Sequence, residues 1–291
     1  MHKQCTWSDG TIHYQVVGTG IPVVLLHGFG EDSSIWNAPI AHLQKTCTLI
    51  IPDLPGTGLS EWKSAQHISL QQNAIHLRKE SYGYSPPKGV LRTFTIDTLA
   101  DAVHSMLVNE KIDQCFMLGH SMGGYITLAY AEKYKEQLLG LGLIHSTSFA
   151  DSEEKKNNRL RGIEMMDKYG GFAFLKNTIP NLFGTSFKKN HPEIIEALIE
   201  KSASIPTSSL QAYYSAMMQR PDRTAVLRGN PLPVLFVLGT EDVAAPLNDV
   251  LQQTHLPLNS YIHILDGIGH MGMLESTERI HQYIDAFIHQ S

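Results

Sequence analysis

Three side chains far apart in the chain could together cut an acyl bond: the hydroxyl of Ser121, the carboxyl of Asp242 and the imidazole of His270. A serine hydroxyl is a poor nucleophile at neutral pH, so its use demands an adjacent base and donors for the oxyanion that forms. Ser121 lies in Gly119-His120-Ser121-Met122-Gly123, between the apolar run 115–118 and a stretch at 124–134 that reads as helix. This G-x-S-x-G spacing predicts a sharp strand-to-helix turn, with the serine strained at its tip and the glycines crowded where a Cβ would obstruct. The Met122 N–H then points at the anion site. A second glycine-rich turn, His27-Gly28-Phe29-Gly30, closes the run 22–26, and its Phe29 N–H is the other expected oxyanion donor.

Asp242 closes the run 233–238 and His270 follows the run 261–265, so three polar residues fall at strand ends in the order Ser, Asp, His. In this reading His270 takes the Ser121 proton and later returns it to the leaving group, while Asp242 fixes the imidazole tautomer and stabilises the imidazolium. Glu241, Asp266 and Asp151 are competing acids; Asp242 is preferred because it caps a strand end while its neighbour Glu241 points elsewhere. His120, Phe149 and Met271 are assigned to substrate contacts. The other histidines, such as His42, His76, His104 and His255, lie on polar or helical stretches without metal-ligand spacing, and no metal or cofactor is expected. Asp53, in Asp53-Leu54-Pro55-Gly56-Thr57-Gly58, suits an aspartate tying down turn amides.

The elements that must position these groups are legible as continuous apolar runs. Residues 22–26, 48–51, 138–144, 233–238 and 261–265 have the pattern of buried strands, and 10–17 alternates as an antiparallel edge hairpin does. Helices are expected at 33–44, 95–108 and 276–289. The polar connection 61–92 is long enough for a lid or for a mobile surface loop. From residue 148 the pattern turns helical for some eighty residues, with helices expected at 153–169, 171–177, 192–203 and 207–218. This assigns a core domain to 1–147 and 229–291 and a helical cap to 148–228, whose many Met, Phe and Tyr side chains either pack it down or line an apolar pocket.

A chain of 291 residues, 42% hydrophobic, can bury one large α/β core with an inserted subdomain. With 23 Lys and Arg against 28 Asp and Glu, a net charge of −5 and no basic run, a nucleic-acid partner is excluded. Cys5, Cys47 and Cys115 are odd in number and widely separated, which suits free thiols in a reducing compartment. No run approaches a membrane span and the N-terminal residues lack a signal-peptide segment, so a cytoplasmic location is expected. Oligomeric state has no marker in the sequence.

The ordered motifs H-G-F-G, D-L-P-G-T-G-L-S, G-H-S-M-G-G, G-T-E-D and G-I-G-H resemble those of the α/β-hydrolase fold family across nearly the whole chain. The resemblance implies an eight-stranded, mostly parallel sheet flanked by helices, a helical cap after the sixth strand and no cofactor. It also implies an oxyanion loop at Gly28 and Phe29, nucleophile Ser121 followed by Met122, acid Asp242 and base His270. Two features depart from the family pattern: the connection 61–92 is unusually long, and the cap carries no subfamily mark. Haloalkane dehalogenases and epoxide hydrolases of this kind use an aspartate at the elbow, which Ser121 argues against. The expected chemistry is hydrolysis of a carboxylic ester, lactone or thioester of a small to medium apolar substrate through an acyl-enzyme. A carbon–carbon bond hydrolase of the meta-cleavage type and a non-enzymatic receptor on the same scaffold are the alternatives.

Overall fold

Strands covered on both faces need apolar side chains pointing both ways, and the central strands of this sheet have them. In the computed structural model, which describes residues 1–63 and 94–290, β1 (His2–Trp7), β2 (Gly10–Val17), β3 (Ile21–Leu26), β4 (Cys47–Pro52), β5 (Glu61–Trp62), β6 (Cys115–His120), β7 (Leu138–Ile144), β8 (Val234–Gly239) and β9 (Ser260–Leu265) form one sheet. Its order is β1-β2-β4-β3-β6-β7-β8-β9, with β5 beside β2. The pairings from β4 through β9 are parallel, and those of β2 with β1, β4 and β5 are antiparallel. The resemblance implied eight strands; the ninth is β5, pairing Glu61 with Thr11 and Trp62 with Gly10. Only glycine permits that approach, because a Cβ on Gly10 would stand 2.1 Å from the Glu61 carbonyl oxygen. The remainder of the expected 61–92 connection lies outside the described residues.

Alternate residues of one strand feed opposite apolar layers. Val24 and Leu26 join Met117 under α2 (Ile96–Glu110) and α3 (Met122–Lys133), whereas Val23 and Leu25 join Trp36, Ile280 and Phe287 on the other face. A single helix expected at 33–44 is instead a 3₁₀ turn, Ser33–Trp36, running into α1 (Asn37–Leu43), because Asp32 accepts the Ser34 N–H and sets a tight first turn. The three cysteines are buried and free.

Between β7 and β8 the chain leaves the sheet and forms α4 (Glu153–Tyr169), α5 (Gly171–Thr178), α6 (Thr185–Asn190), α7 (Pro192–Ser202), α8 (Thr207–Gln219) and a short α9 (Thr224–Leu227). α6 was not anticipated; at six residues with no side-chain cap it is too short to show helical periodicity. The chain then returns through β8, α10 (Leu247–Leu251), β9, α11 (Gly272–Glu275) and α12 (Thr277–Gln290).

The turn from β6 into α3 is built on backbone contact. A Cβ on Gly119 would lie 2.1 Å from the Gly123 carbonyl carbon, and one on Gly123 would lie 2.5 Å from the Leu26 carbonyl oxygen. Nothing in that contact can rotate aside. Gly123→Ala is therefore expected to destabilise the protein by about 3 kcal/mol or more in urea unfolding. Gly229→Ala, where φ is +64° and no atom lies within 4 Å, should cost only about 1 kcal/mol. Equal losses would show that close packing does not hold this turn.

Candidate active site

Ser121 stands between β6 and α3 with φ 51° and ψ −116°, a conformation L-residues avoid. It is held there by its own N–H, which donates to the Ile144 carbonyl at 3.0 Å, and by Ser146 Oγ donating to its carbonyl at 2.7 Å. Among the described residues, neither the Met122 N–H nor the Phe29 N–H has a hydrogen-bond acceptor, so both remain available to an anion. The loop that carries Phe29 is tied down from beneath. His27 Nε2 accepts the Leu54 N–H at 3.0 Å, which leaves its Nδ1–H to donate to the Gly28 carbonyl at 2.8 Å. Phe29 packs its ring on Tyr214 of α8 at 4.4 Å between centroids, bringing the helical segment over this loop.

Asp242 and His270 come together: His270 Nδ1 lies 3.0 and 2.9 Å from the two carboxylate oxygens. Three further donors reach the same carboxylate. Oδ1 accepts the N–H groups of Ala244 (2.9 Å) and Ala245 (2.8 Å), and Oδ2 accepts from His145 Nδ1 (3.0 Å). Burial alone would raise the Asp242 pKa, but electrostatic attraction to His270 and the hydrogen bonds from His145 and His270 hold it far below the ordinary carboxylate value. The main chain of His270 is fixed as well. Its N–H donates to the Leu182 carbonyl at 2.6 Å, and Glu275 accepts the N–H groups of Gly269 and Met271 on either side, each at 3.1 Å.

The competing acids are engaged elsewhere. Glu241 accepts the Thr185 N–H, Asp266 accepts from Thr240 Oγ1, and Asp151 is paired with Arg159 and Arg220. Asp53 accepts the Ser33 and Leu59 N–H groups, the turn-tying role its neighbours suggested.

Two of the residues assigned to substrate contacts are corrected. His120 is fully buried, with Nδ1 3.1 Å from Glu31 Oε2 and Nε2 2.9 Å from the His270 carbonyl, so no ring nitrogen is left for a substrate. Met271 is enclosed in the apolar core. Phe149 is half-buried, on the wall of a groove of about 280 Å³ that also contacts Arg220 and Ala245.

Glu31 and His145 were not anticipated as site residues. Glu31 follows the Phe29 turn and accepts the Gly28 N–H at 2.7 Å besides the His120 proton. The one available signal for His145 was its place directly after the apolar run of β7, as Ser121 directly follows β6. His145, Asp242 and His270 are also a group whose ligand atoms lie within 4.8 Å of one another. Each ring already presents a proton to the carboxylate, and those hydrogen bonds account for the cluster without an ion.

Both acceptors of His120 are oxygens, so both ring nitrogens donate and the ring is an imidazolium opposite the Glu31 carboxylate. Burial opposes charge on each partner, yet their mutual attraction and hydrogen bond hold the Glu31 pKa below and the His120 pKa above the ordinary values. The stabilisation from Glu31 is present above about pH 4.3 and is lost as pH falls; that from His120 is complete below about pH 6.5 and is lost as pH rises through its raised folded value. Glu31→Gln is thus expected to cost about 3 kcal/mol near pH 6, with the gap to wild type narrowing in alkali. Urea unfolding across pH checks this, and a gap independent of pH would contradict the ion pair.

Residues 21–277 match the family described as alpha/beta hydrolase fold. A structure of a thermophilic esterase from Thermogutta terrifontis is similar over 100% of this chain and 98% of its own, with a TM-score of 0.85 and 27% identity. A 2-hydroxymuconate semialdehyde hydrolase from Pseudomonas sp. (strain CF600) is 24% identical over 93% of this chain and 88% of its own length. Lipase 3 from Moraxella sp. (strain TA144) is 23% identical over 89% of this chain and 75% of its own length. With its sheet, its strained serine turn and this match over most of its length, the chain belongs to the α/β-hydrolase fold family.

Proposed function

We propose that this protein is a serine hydrolase that cleaves a carboxylic ester, or a lactone or thioester, of a small to medium apolar substrate through an acyl-enzyme. The observation that carries the proposal is the hydrogen-bonded Asp242–His270 pair together with a serine held at positive φ, whose preceding residue His120 places its ring nitrogen 2.9 Å from the His270 carbonyl. Ser121 Oγ attacks the carbonyl carbon as His270 Nε2 takes the hydroxyl proton, while Asp242 keeps the other ring proton on Nδ1. The carbonyl oxygen, now negative, is received by the Phe29 and Met122 N–H groups. Collapse of the tetrahedral adduct expels the alkoxide with the proton from His270. Water, deprotonated by the same ring, then attacks the acyl-Ser121 ester and releases the acid. The reading takes residues 1–147 and 229–291 as the catalytic core and 148–228 as a cap, with Phe29, Phe174 and Tyr214 as the aromatic surface for the apolar group.

A second reading, hydrolysis of a carbon–carbon bond of the meta-cleavage type, is favoured by one observation, the similarity to a 2-hydroxymuconate semialdehyde hydrolase. A panel of p-nitrophenyl esters, aryl lactones and a vinylogous 1,5-diketone distinguishes the bonds. Three buried free thiols suit a cytoplasmic setting, and among the described residues no helix is long and apolar enough to cross a membrane.

A fluorophosphonate is expected to label the protein at Ser121 and to leave Ser121→Ala unlabelled. Ser121→Ala and His270→Ala should each reduce kcat on the best ester by roughly 10⁴-fold or more, leaving only the background from the oxyanion donors and binding. Near-wild-type turnover in either variant would end this reading.

A further inference from the structure

The Asp242 carboxylate serves two imidazoles, and the proposed reaction uses only one. His145 presents Nδ1 to Oδ2 at 3.0 Å, while His270 reaches both oxygens. Three features show that this second ring is held at a cost. His145 is in the left-handed region, with φ 50°. It is fully buried, and its Nε2 has no hydrogen-bond partner among the described residues. It fits only because residue 272 is glycine, since a Cβ there would stand 2.3 Å from Nε2. A strained, desolvated ring with a single polar contact contributes little to folding that an apolar side chain would not, so its one hydrogen bond is where a role must lie.

We propose that His145 is a positioning residue for the reaction: its Nδ1–H fixes the plane of the Asp242 carboxylate against His270 and draws off part of the negative charge that His270 faces. This rests on the acyl-enzyme reading above. The carboxylate has a donor from each side, with the Ala244 and Ala245 N–H groups on Oδ1 and His145 on Oδ2, leaving His270 the approach that spans both. His145 itself stays neutral, because burial disfavours its charged form more than Asp242 favours it. The ring thus donates one proton and carries no charge of its own.

The groups around His270 separate this effect from others. Its ring faces Asp242 from the loop after β8, His145 from β7 and the charged His120 from β6, with centroids 6.0 Å from His145 and 4.9 Å from His120. Glu275 lies on α11, its carboxylate taken up by the Gly184, Gly269 and Met271 N–H groups. Of these, His145 shares a hydrogen-bond acceptor with His270, the Asp242 carboxylate, and its neutral ring touches His270 only edge to face, so its removal changes the charge on that carboxylate while leaving the Glu31–His120 hydrogen bonds and the anchors of the His270 loop in place.

His145→Ala deletes the donor, and His145→Asn restores one, since an asparagine amide nitrogen can reach the position of Nδ1. In His145→Ala the undivided charge holds the His270 imidazolium more firmly, so the acidic limb of the kcat/KM profile is expected to move up by about 0.5 to 1 pH unit. In the same variant kcat should fall about tenfold with KM changed less than twofold. His145→Asn should bring both quantities back towards wild type. A purely structural histidine would lower the unfolding midpoint in both variants and leave the pH profile unmoved, and superimposable profiles for wild type and His145→Ala overturn the proposal. Should His145→Ala fail to fold, ¹⁵N NMR of the histidine-labelled wild-type protein decides: a neutral His145 with its proton on Nδ1 supports the role, and a charged ring or a proton on Nε2 overturns it. Fluorophosphonate labelling of the wild type keeps the two readings apart, since absent labelling at Ser121 rejects the acyl-enzyme, whereas labelling with an unmoved profile rejects the role of His145 alone.

Discussion

A carboxylate shut off from water is tolerable only when donors surround it, and at Asp242 that demand gathers three separate segments of chain. The loop after β8 turns its own Ala244 and Ala245 N–H groups back onto the side chain, the end of β7 supplies His145, and the loop after β9 supplies His270. Glu31 makes the same demand on the other side of the site. It draws in the Gly28 N–H of the Phe29 loop and His120 of β6, and His120 in turn holds the His270 carbonyl. His270 is therefore gripped twice, by its ring through one buried carboxylate and by its main chain through the other. The loop of proposed oxyanion donors, the serine turn and the proposed base His270 share one network of buried hydrogen bonds.

The parallel sheet explains how such a network can be assembled from distant residues. Ser121 N–H bonds to Ile144 of β7, His145 N–H to Val237 of β8 and Thr240 N–H to Leu265 of β9. Each strand-end residue thus continues the ladder onto its neighbour, and the side chains that follow emerge at one level along the carboxyl edge. Positive φ at both Ser121 and His145 is offset by these bonds. The ladder anchors the backbone while the strained dihedral turns the side chain out of the pleat.

Much of this was legible in the sequence, for a physical reason. β3, β6, β7 and β8 are buried on both faces, so their residues form unbroken apolar runs, and the residue that ends each run stands out. That contrast marks Ser121 and Asp242. The supporting groups were less visible, because burial of a polar side chain is decided by what packs over it rather than by its neighbours in sequence. Glu31 sits in the turn after Phe29 and Glu275 on α11, and nothing in their sequence neighbours marks them, yet each ties down main-chain amides of the site. His120, assigned to substrate contact, is the last residue of β6, and its ring is buried against Glu31. β5 is two residues long, and its existence depends on the bare Cα of Gly10.

The three buried histidines show how one ring chemistry can be divided into different roles by partners alone. His120 has an oxygen at each nitrogen, so it must donate twice and is charged. His145 has one oxygen and, at its other nitrogen, no hydrogen-bond partner among the described residues, so it donates once and is neutral. His270 donates to Asp242 through Nδ1, which leaves Nε2 as the one ring nitrogen of the three able to take a proton from Ser121 in the proposed reaction. With Glu31 balanced by His120, the buried set at rest carries a single uncompensated negative charge, that of Asp242. In the proposed reaction, formation of the His270 imidazolium cancels it inside the protein at the moment when the substrate oxygen becomes negative before the Phe29 and Met122 N–H groups. The proton transfer moves charge between two places already prepared for it, so little has to reorganise as the bond to Ser121 forms.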